Sequence, residues 1–317
     1  MNFQQLRSVR ETVRCGFNLT EVAHTLHTSQ PGVSRQIREL EEELGIDLFV
    51  RAGKRLTGLT EPGAHVLPII ENILQGSHNL RTAGQEFVAQ QSGSLSIAAT
   101  HTQARYALPT AVQEFRLQFP NVRLHLHQGS PRQVAEMLLS GEADIGIATE
   151  ALAQYADLVA LPCYRWTHSV IVPPNHPLLD GPLSLEKLAR YPLITYGAGF
   201  TGRGHIDQAF AKHRIEPRIV LSAMDADVIK TYVELGMGVG IVASIAFEAE
   251  RDTQLRAIDA GALFGINLTK LALRRGSYLR AYVYALIESF APTLQRSVVD
   301  QAMVADKDKV TAEGYEI

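Results

Sequence analysis

Only two cysteines occur in the 317 residues, Cys15 and Cys163, far apart and without metal-ligand spacing. That count excludes a disulfide framework and fits a reducing compartment. No run of about 18 apolar residues is present, so no membrane span is expected. The start, MNFQQLRSVRETVRCG, lacks the apolar core of a secretory leader, and the expectation is a cytoplasmic protein. An excess of positive charge is also missing: the net charge is -3. Even residues 1–59 hold eight Lys+Arg against seven Asp+Glu. Any contact with nucleic acid must therefore come from local placement and not from a global basic field. No nucleophile stands beside a matching base, and no phosphate loop appears, so no catalytic residues are expected. His101, His125, His127 and His168 show no metal spacing and read as surface or core histidines, so no metal site is expected.

An apolar fraction of 46% is ordinary for a folded chain, and the length allows more than one domain. The first 60 residues read as short helices. Phe3, Leu6, Val9 and Val13 make one stripe, with Gly16 as its C-cap. Asn18 followed by Glu21 resembles a capping box, and Val22, Ala23 and Leu26 continue an apolar face. Ser29 is a good N-cap and Pro31 suits a first helical turn, after which Val33, Ile37, Leu40 and Leu44 recur until Gly45. The opposite face of this last helix carries Gln30, Ser34 and Arg38, with Arg35 beside them. Such side chains reach base edges and phosphates. Arg51, Lys54 and Arg55 flank a hairpin around Gly53, which reads as a basic wing; a solvated face with an ordinary basic turn is the competing interpretation.

Residues 60–91 read as one long helix, with Thr60 as cap and Pro62 in the first turn. Val66, Ile69, Ile73, Gly76, Leu80, Ala83 and Phe87 alternate in steps of 3 and 4, a heptad seam that would pair two chains or pack on its own domain. Gln90 to Gly93 mark a boundary. Beyond it SLSIAAT, VRLHLHQ, ADIGIAT, HSVIVPP, PLITY, RIVLSA, VGIVAS and LTKLALRR alternate with helical segments, the pattern of an α/β domain with largely parallel sheets. From about Asp300 the chain turns polar and aperiodic and reads as a loosely held tail.

Within this α/β part, Thr100-His101-Thr102-Gln103 follows a strand and opens a helix, Thr149 ends IGIAT, and Gly199 to Arg203 form another loop before a helix. Ligands of open α/β sheets sit beyond the carboxyl ends of strands, and helix starts favour anions. Simple helix capping is the alternative. Asp225 and Asp227 precede a helical segment, with capping as the first reading and a ligand-amine contact as the second. Cys163 sits among apolar residues and reads as an inert thiol.

The stretch NLTEVAHTLHTSQPGVSRQIRELEEELGIDLFVR, followed by LTEPG, resembles the N-terminal signature of the LysR-type transcriptional regulators, without a gap from about Phe3 to Gly63. THTQARYALP, LHQGSP, IATEAL, LVALPCYRW, GFTGR and DADVIKTYVELGMGVGIVAS resemble the effector domain of the CysB and Cbl branch of that family. Glu61 is a departure, since many members carry Thr-Pro-Ala-Gly there, and the segment from Tyr196 to Thr201 also differs in detail.

The resemblance implies a winged helix-turn-helix over residues 1–59, a dimerising linker helix over 60–92, a two-lobed effector domain of periplasmic-binding-protein type over 93–300, and a tail over 301–317. Gln30, Pro31, Ser34, Arg35, Arg38, Arg51 and Lys54 would contact DNA; Thr100, Thr102, Gln103, Thr149 and Thr201 would face the effector, with Trp166 beside it. The implied partners are promoter DNA, a second copy of the chain (a dimer of dimers), RNA polymerase, and an effector such as O-acetylserine, N-acetylserine or a sulfate-like anion. No membrane and no further cofactor are implied. A transporter's solute-binding protein and an enzyme on the same scaffold are the other readings of the C-terminal part.

Overall fold

Short helices, each capped by its own sequence, build the N-terminal part of the computed structural model, which describes residues 1–53, 55–88, 92–200 and 202–305. Helices α1 (Phe3–Arg14), α2 (Leu19–Thr25) and α3 (Gln30–Leu44) are followed by strands β1 (Phe49–Ala52) and β2 (Arg55–Leu59) and by the long helix α4 (Glu61–Val88). Asn18 accepts from the backbone of Thr20 and Glu21, and Ser29 accepts from Gly32, so both residues cap their helices as expected; the Asn18 N–H donates to Cys15 O, so the reciprocal half of a capping box is not made. Leu6, Val9, Val22, Val33, Ile37 and Leu40 form one core with Leu48, Phe49 and Leu56 of the hairpin. Phe3 and Leu44, expected in the apolar stripes, are exposed instead. Each is a terminal residue of its helix, where the face has run past the core.

Two anchors tie α4 to the hairpin. The Thr60 hydroxyl donates to Asp47 O and accepts from Gly63 N, which caps the helix as expected. Gly63 lies so close to Leu48 that an added Cβ would sit 2.1 Å from its carbonyl oxygen. Only glycine fits there. Further along, Ile70 and Leu74 bury themselves in the N-terminal core, each worth about 1.5–3 kcal/mol. The seam residues Ile69, Ile73 and Leu80 lie on other faces and remain 58%, 37% and 75% exposed in the single chain.

Residues 1–88 form one unit and residues 89–317 a second. The second runs β3 (Ser92–Ala99), α5 (Leu108–Gln118), β4 (Asn121–Gln128), α6 (Pro131–Ser140), β5 (Ile145–Thr149), β6 (Leu158–Trp166), β7 (His168–Val172), α7 (Leu185–Leu188), β8 (Leu193–Tyr196), α8 (Arg203–Lys212), β9 (Ile219–Ala223), α9 (Ala226–Glu234), β10 (Val239–Ala243), β11 (Arg256–Asp259), α10 (Gly261–Phe264), β12 (Asn267–Arg274), α11 (Ala281–Phe290) and α12 (Arg296–Val304). Two five-stranded sheets, β4-β3-β5-β12-β6 and β11-β7-β10-β8-β9, define two lobes.

Both sheets are mixed. In the first lobe β12 is antiparallel to β5 and β6; in the second β7 is antiparallel to β10 and β11. The odd strand in each sheet is the one that arrives from the other lobe. The chain crosses at Thr167 and again at residues 265–266, so β7 and β12 start at the junction and run away from it, while their neighbours run towards it. The apolar core of the first lobe includes Val299 and Ala302 of α12. The effector domain therefore continues past residue 300, and the tail is shorter than expected; residues 306–317 lie outside the described ones. No helix among the described residues is long and apolar enough to cross a membrane.

Candidate functional site

Helices α2 and α3 meet through the turn at residues 26–29, where His27 takes a left-handed φ of 50° and Thr28 N donates to Ala23 O. The apolar face of α3 is consumed by the core, which turns Gln30, Pro31, Ser34, Arg35 and Arg38 outward. Gln30, Ser34 and Arg38 line one concave surface with Arg51 and Gly53 of the hairpin, so helix and wing form a continuous face. Lys54 lies outside the described residues.

The cations on this face are not equivalent. Arg35 pairs with Glu39 and Arg51 with Glu41, whereas Arg38 makes no ion pair among the described residues. Glu41 was not singled out in the sequence, yet it organises the wing. Its buried carboxylate accepts from Leu48 N at 2.9 Å, Phe49 N at 3.3 Å and Arg51 Nη2 at 2.5 Å. Arg51 thus holds the hairpin in place as well as offering charge to a phosphate. Arg38→Ala should leave thermal stability unchanged and lower the salt slope of DNA binding by about 1. Arg51→Ala should also cost about 1–2 kcal/mol of stability, because it leaves a buried carboxylate short of its counterion. Thermal melts beside anisotropy titrations separate the two effects; equal melting and equal affinity in both variants would contradict them.

In the second unit the strand ends create a polar layer at the lobe junction. Thr269 pairs with Thr149 on one side and Tyr164 on the other, and Asn267 pairs with Trp166. These five side chains share one face of the first sheet, continuing the row that Leu271 and Leu273 make in the apolar core. Gln103 joins them from the turn after β3. Its Nε2 donates to Thr269 Oγ1 at 3.2 Å, and the Tyr164 hydroxyl donates to its Oε1. Burial pushes the Tyr164 phenol up to about 12, with bonds to Thr269 and Gln103 opposing, so it stays a donor at neutral pH. Thr100, beside this turn, is buried, and its N donates to Ile147 O.

Four buried atoms of this region have no hydrogen-bond partner among the described residues: His101 Nδ1, Thr102 Oγ1, Trp166 Nε1 and Asn267 Oδ1. Thr102 lies near the Tyr196 hydroxyl, close enough to oppose the rise that burial gives that phenol, but at no bonding geometry. A buried polar group left unpaired costs about 1–3 kcal/mol, so such groups are rare unless something else fills the need. From the second lobe, Gly202 comes against the same strands. A Cβ there would lie 2.3 Å from Asn267 Oδ1 and 3.0 Å from His168 Nε2, which explains glycine at this position (φ +68°). Thr201, expected at the site, lies outside the described residues.

Asp225 caps α9 through Val228 N at 2.8 Å, which bears out capping. Asp227 does something else. It accepts from the Tyr106 hydroxyl of the first lobe at 2.6 Å, and lies 3.4 Å from Arg105 Nε and 3.2 Å from Lys230 Nζ. Burial alone would raise its pKa, yet the bonds from Tyr106 and Lys230 and the two cations lower it, keeping it ionised. His101 comes within 4.8 Å of both aspartates, a grouping of metal-ligand types that sequence spacing did not reveal. Asp227 also contacts Arg105 and Lys230, so the cluster joins the two lobes by polar contacts. Burial pushes the Cys163 thiol up to about 12, so it is inert, as expected.

Asn267, Thr269, Tyr164 and Tyr106 stand at the candidate site, and the sequence did not mark them. Each becomes visible only once β6 and β12 are aligned or the lobes are together.

Residues 3–64 match the model of "Bacterial regulatory helix-turn-helix protein, lysR family", and residues 89–295 match "LysR substrate binding domain". The chain is 55% identical over 318 residues to the HTH-type transcriptional regulator CysB of Burkholderia cenocepacia, covering 100% of both chains. It is 57% identical over 300 residues to the regulator SsuR of the same organism, covering 94% of this chain and 97% of that one. Among solved structures, the cofactor-binding domain of the Cbl transcriptional regulator matches with a TM-score of 0.65 and 48% identity, over 68% of this chain and 95% of that domain. These relatives are transcriptional regulators, not enzymes. With a helix-turn-helix and wing at one end and two α/β lobes at the other, this chain belongs to the LysR family of bacterial transcriptional regulators.

Proposed function

We propose that the chain is a cytoplasmic regulator of sulfur-assimilation genes whose DNA binding responds to a small effector held between the two lobes. The resemblance to CysB, SsuR and Cbl supports the gene class. The observation that carries the effector reading is the set of unpartnered, buried, neutral polar atoms at Thr102, Trp166 and Asn267. Thr100, Gln103 and Thr149 add hydroxyl and amide groups at the same strand ends, and Thr201 belongs with them by resemblance. Thr102 Oγ1 and Trp166 Nε1 are neutral donors that hold a small anion by hydrogen bonding without a lysine, while Asn267 Oδ1 accepts from a ligand N–H or O–H. N-acetylserine and a sulfate-like oxyanion are such anions, and zwitterionic O-acetylserine offers a carboxylate to the donors and an ammonium to the acceptor.

The exposed seam of α4 supports pairing of two chains, and the family resemblance extends this to a dimer of dimers that works with RNA polymerase at the promoter. An effector alters DNA binding only if it prefers one arrangement of the protein over another. Calorimetry of the full chain against O-acetylserine, N-acetylserine, sulfate, thiosulfate and adenosine phosphosulfate tests the reading. Saturable binding of at least one, weakened about 10- to 100-fold in Thr102→Val, is expected. No heat from any of them would overturn it.

A further inference from the structure

We propose that Tyr106 and Arg105 of the first lobe and Asp227 of the second form a latch that sets how readily the two lobes part. The Tyr106 hydroxyl reaches Asp227 Oδ1 at 2.6 Å, and Arg105 Nε stands 3.4 Å from Asp227 Oδ2. The contact is apolar as well as polar, because the Tyr106 ring packs against the second-lobe cluster of Ile171, Ile194, Ala226 and Ala246. Lys230 Nζ lies 5.2 Å from the centre of that ring. One aromatic side chain of the first lobe is thus seated in the second.

The second-lobe half of the latch is prebuilt. Lys230 is buried and held by Asp252 at 3.0 Å and by Ala246 O at 3.1 Å, and from there it reaches Asp227 at 3.2 Å. If the lobes part, Asp227 loses Tyr106 and Arg105 but keeps Lys230. No carboxylate is stranded without a counterion, so opening forfeits a bounded set of contacts. The device is a reversible latch and not a lock.

The latch and the effector turn share one piece of backbone. Gln103–Ala107 is a turn of π-helix, a local widening that is frequent at functional sites. At its start Gln103 is fixed to Thr269 and Tyr164, and Thr102 immediately precedes it. Arg105 and Tyr106 follow within the same turn. A shift at 102–103 therefore carries 105–106 with it, and a ligand at the first pair strengthens or weakens the latch at the second. The link to ligand affinity rests on the cleft reading given above; the latch itself does not.

Trp166 is the one tryptophan in the chain, and it ends β6 at the lobe crossing. Its fluorescence reports the junction directly. The test is acrylamide quenching of the full chain without ligand, for the parent, Tyr106→Phe, Asp227→Asn and the double variant. Each single change should shift the closed–open balance about fivefold towards open, and raise quenching accordingly. The double variant should go no further than the stronger single one, since both remove the same bond. Unchanged quenching in both singles overturns the latch, and so do strictly additive effects. Tyr106→Phe keeps the ring and its packing; if Asp227→Asn fails to fold, quenching of Tyr106→Phe alone decides. In a second measurement, O-acetylserine should leave the variants faster with little change in its association rate. If the parent binds none of O-acetylserine, N-acetylserine, sulfate, thiosulfate and adenosine phosphosulfate while the variants still show raised quenching, the effector reading fails and the latch stands.

Discussion

Light scattering of an Ile73→Asp, Leu80→Asp double variant should show particles of half the parent mass or less, with unfolding of the N-terminal unit unaffected. The reason lies in the two faces of α4. Ile70 and Leu74 pack on the helix's own unit, whereas Ile73 and Leu80 remain exposed in the single chain. Gly76 and Ala83 between and beyond them are small residues that let a second helix approach. Two carboxylates placed in that seam would cost several kcal/mol if they stayed ionised against a partner helix. Loss of pairing would separate two DNA-binding heads, and the avidity lost would be on the order of 100-fold or more in DNA affinity. A variant that keeps both its mass and its fold would show that the seam does not pair chains.

Thr102→Val should weaken effector binding about 10- to 100-fold, the consequence of removing a hydroxyl while leaving a buried ligand oxygen unpaired. Thr149→Val should act in the same direction. Gln103→Leu should do more, because it also deprives Thr269 and Tyr164 of their common partner. Calorimetry with whichever acetylserine or oxyanion the parent binds measures all three. Parent-like affinity in Thr102→Val and Gln103→Leu would place the ligand elsewhere.

Much of the N-terminal unit is legible in the sequence, because its signals are local. Asn18, Ser29, Thr60 and Gly45 act within a few residues of themselves, and the stripe Val33–Ile37–Leu40 points inward as its spacing requires. The place of the turn from Thr100 to Gln103 was legible for a similar reason: it stands where a strand ends. What escaped was non-local or irregular. Strand β6 carries Pro162 and a register shift, which hides its alternation, and β11 is only four residues long. Asn267 and Thr269 join the site through strand pairing with residues about a hundred positions earlier, and no periodicity announces such a register. Tyr106 and Asp227 are 121 residues apart, so the sequence offered Asp227 as a helix cap or a ligand-amine contact and not as a partner of Tyr106. The Glu41–Arg51 pair was hidden by its setting, since a glutamate in an acidic run gives no sign of being the buried one.

The most direct measurement is a fluorescence anisotropy titration of the full chain against promoter DNA from a sulfur-assimilation gene. It is run at two salt concentrations, each with and without saturating acetylserine. The expected result is affinity that falls as salt rises, as phosphate contacts require, together with a shift in affinity or stoichiometry when the effector is present. Binding that ignores salt, or a salt-dependent complex that no acetylserine or sulfur oxyanion alters, would contradict a regulator whose two lobes sense a small ligand.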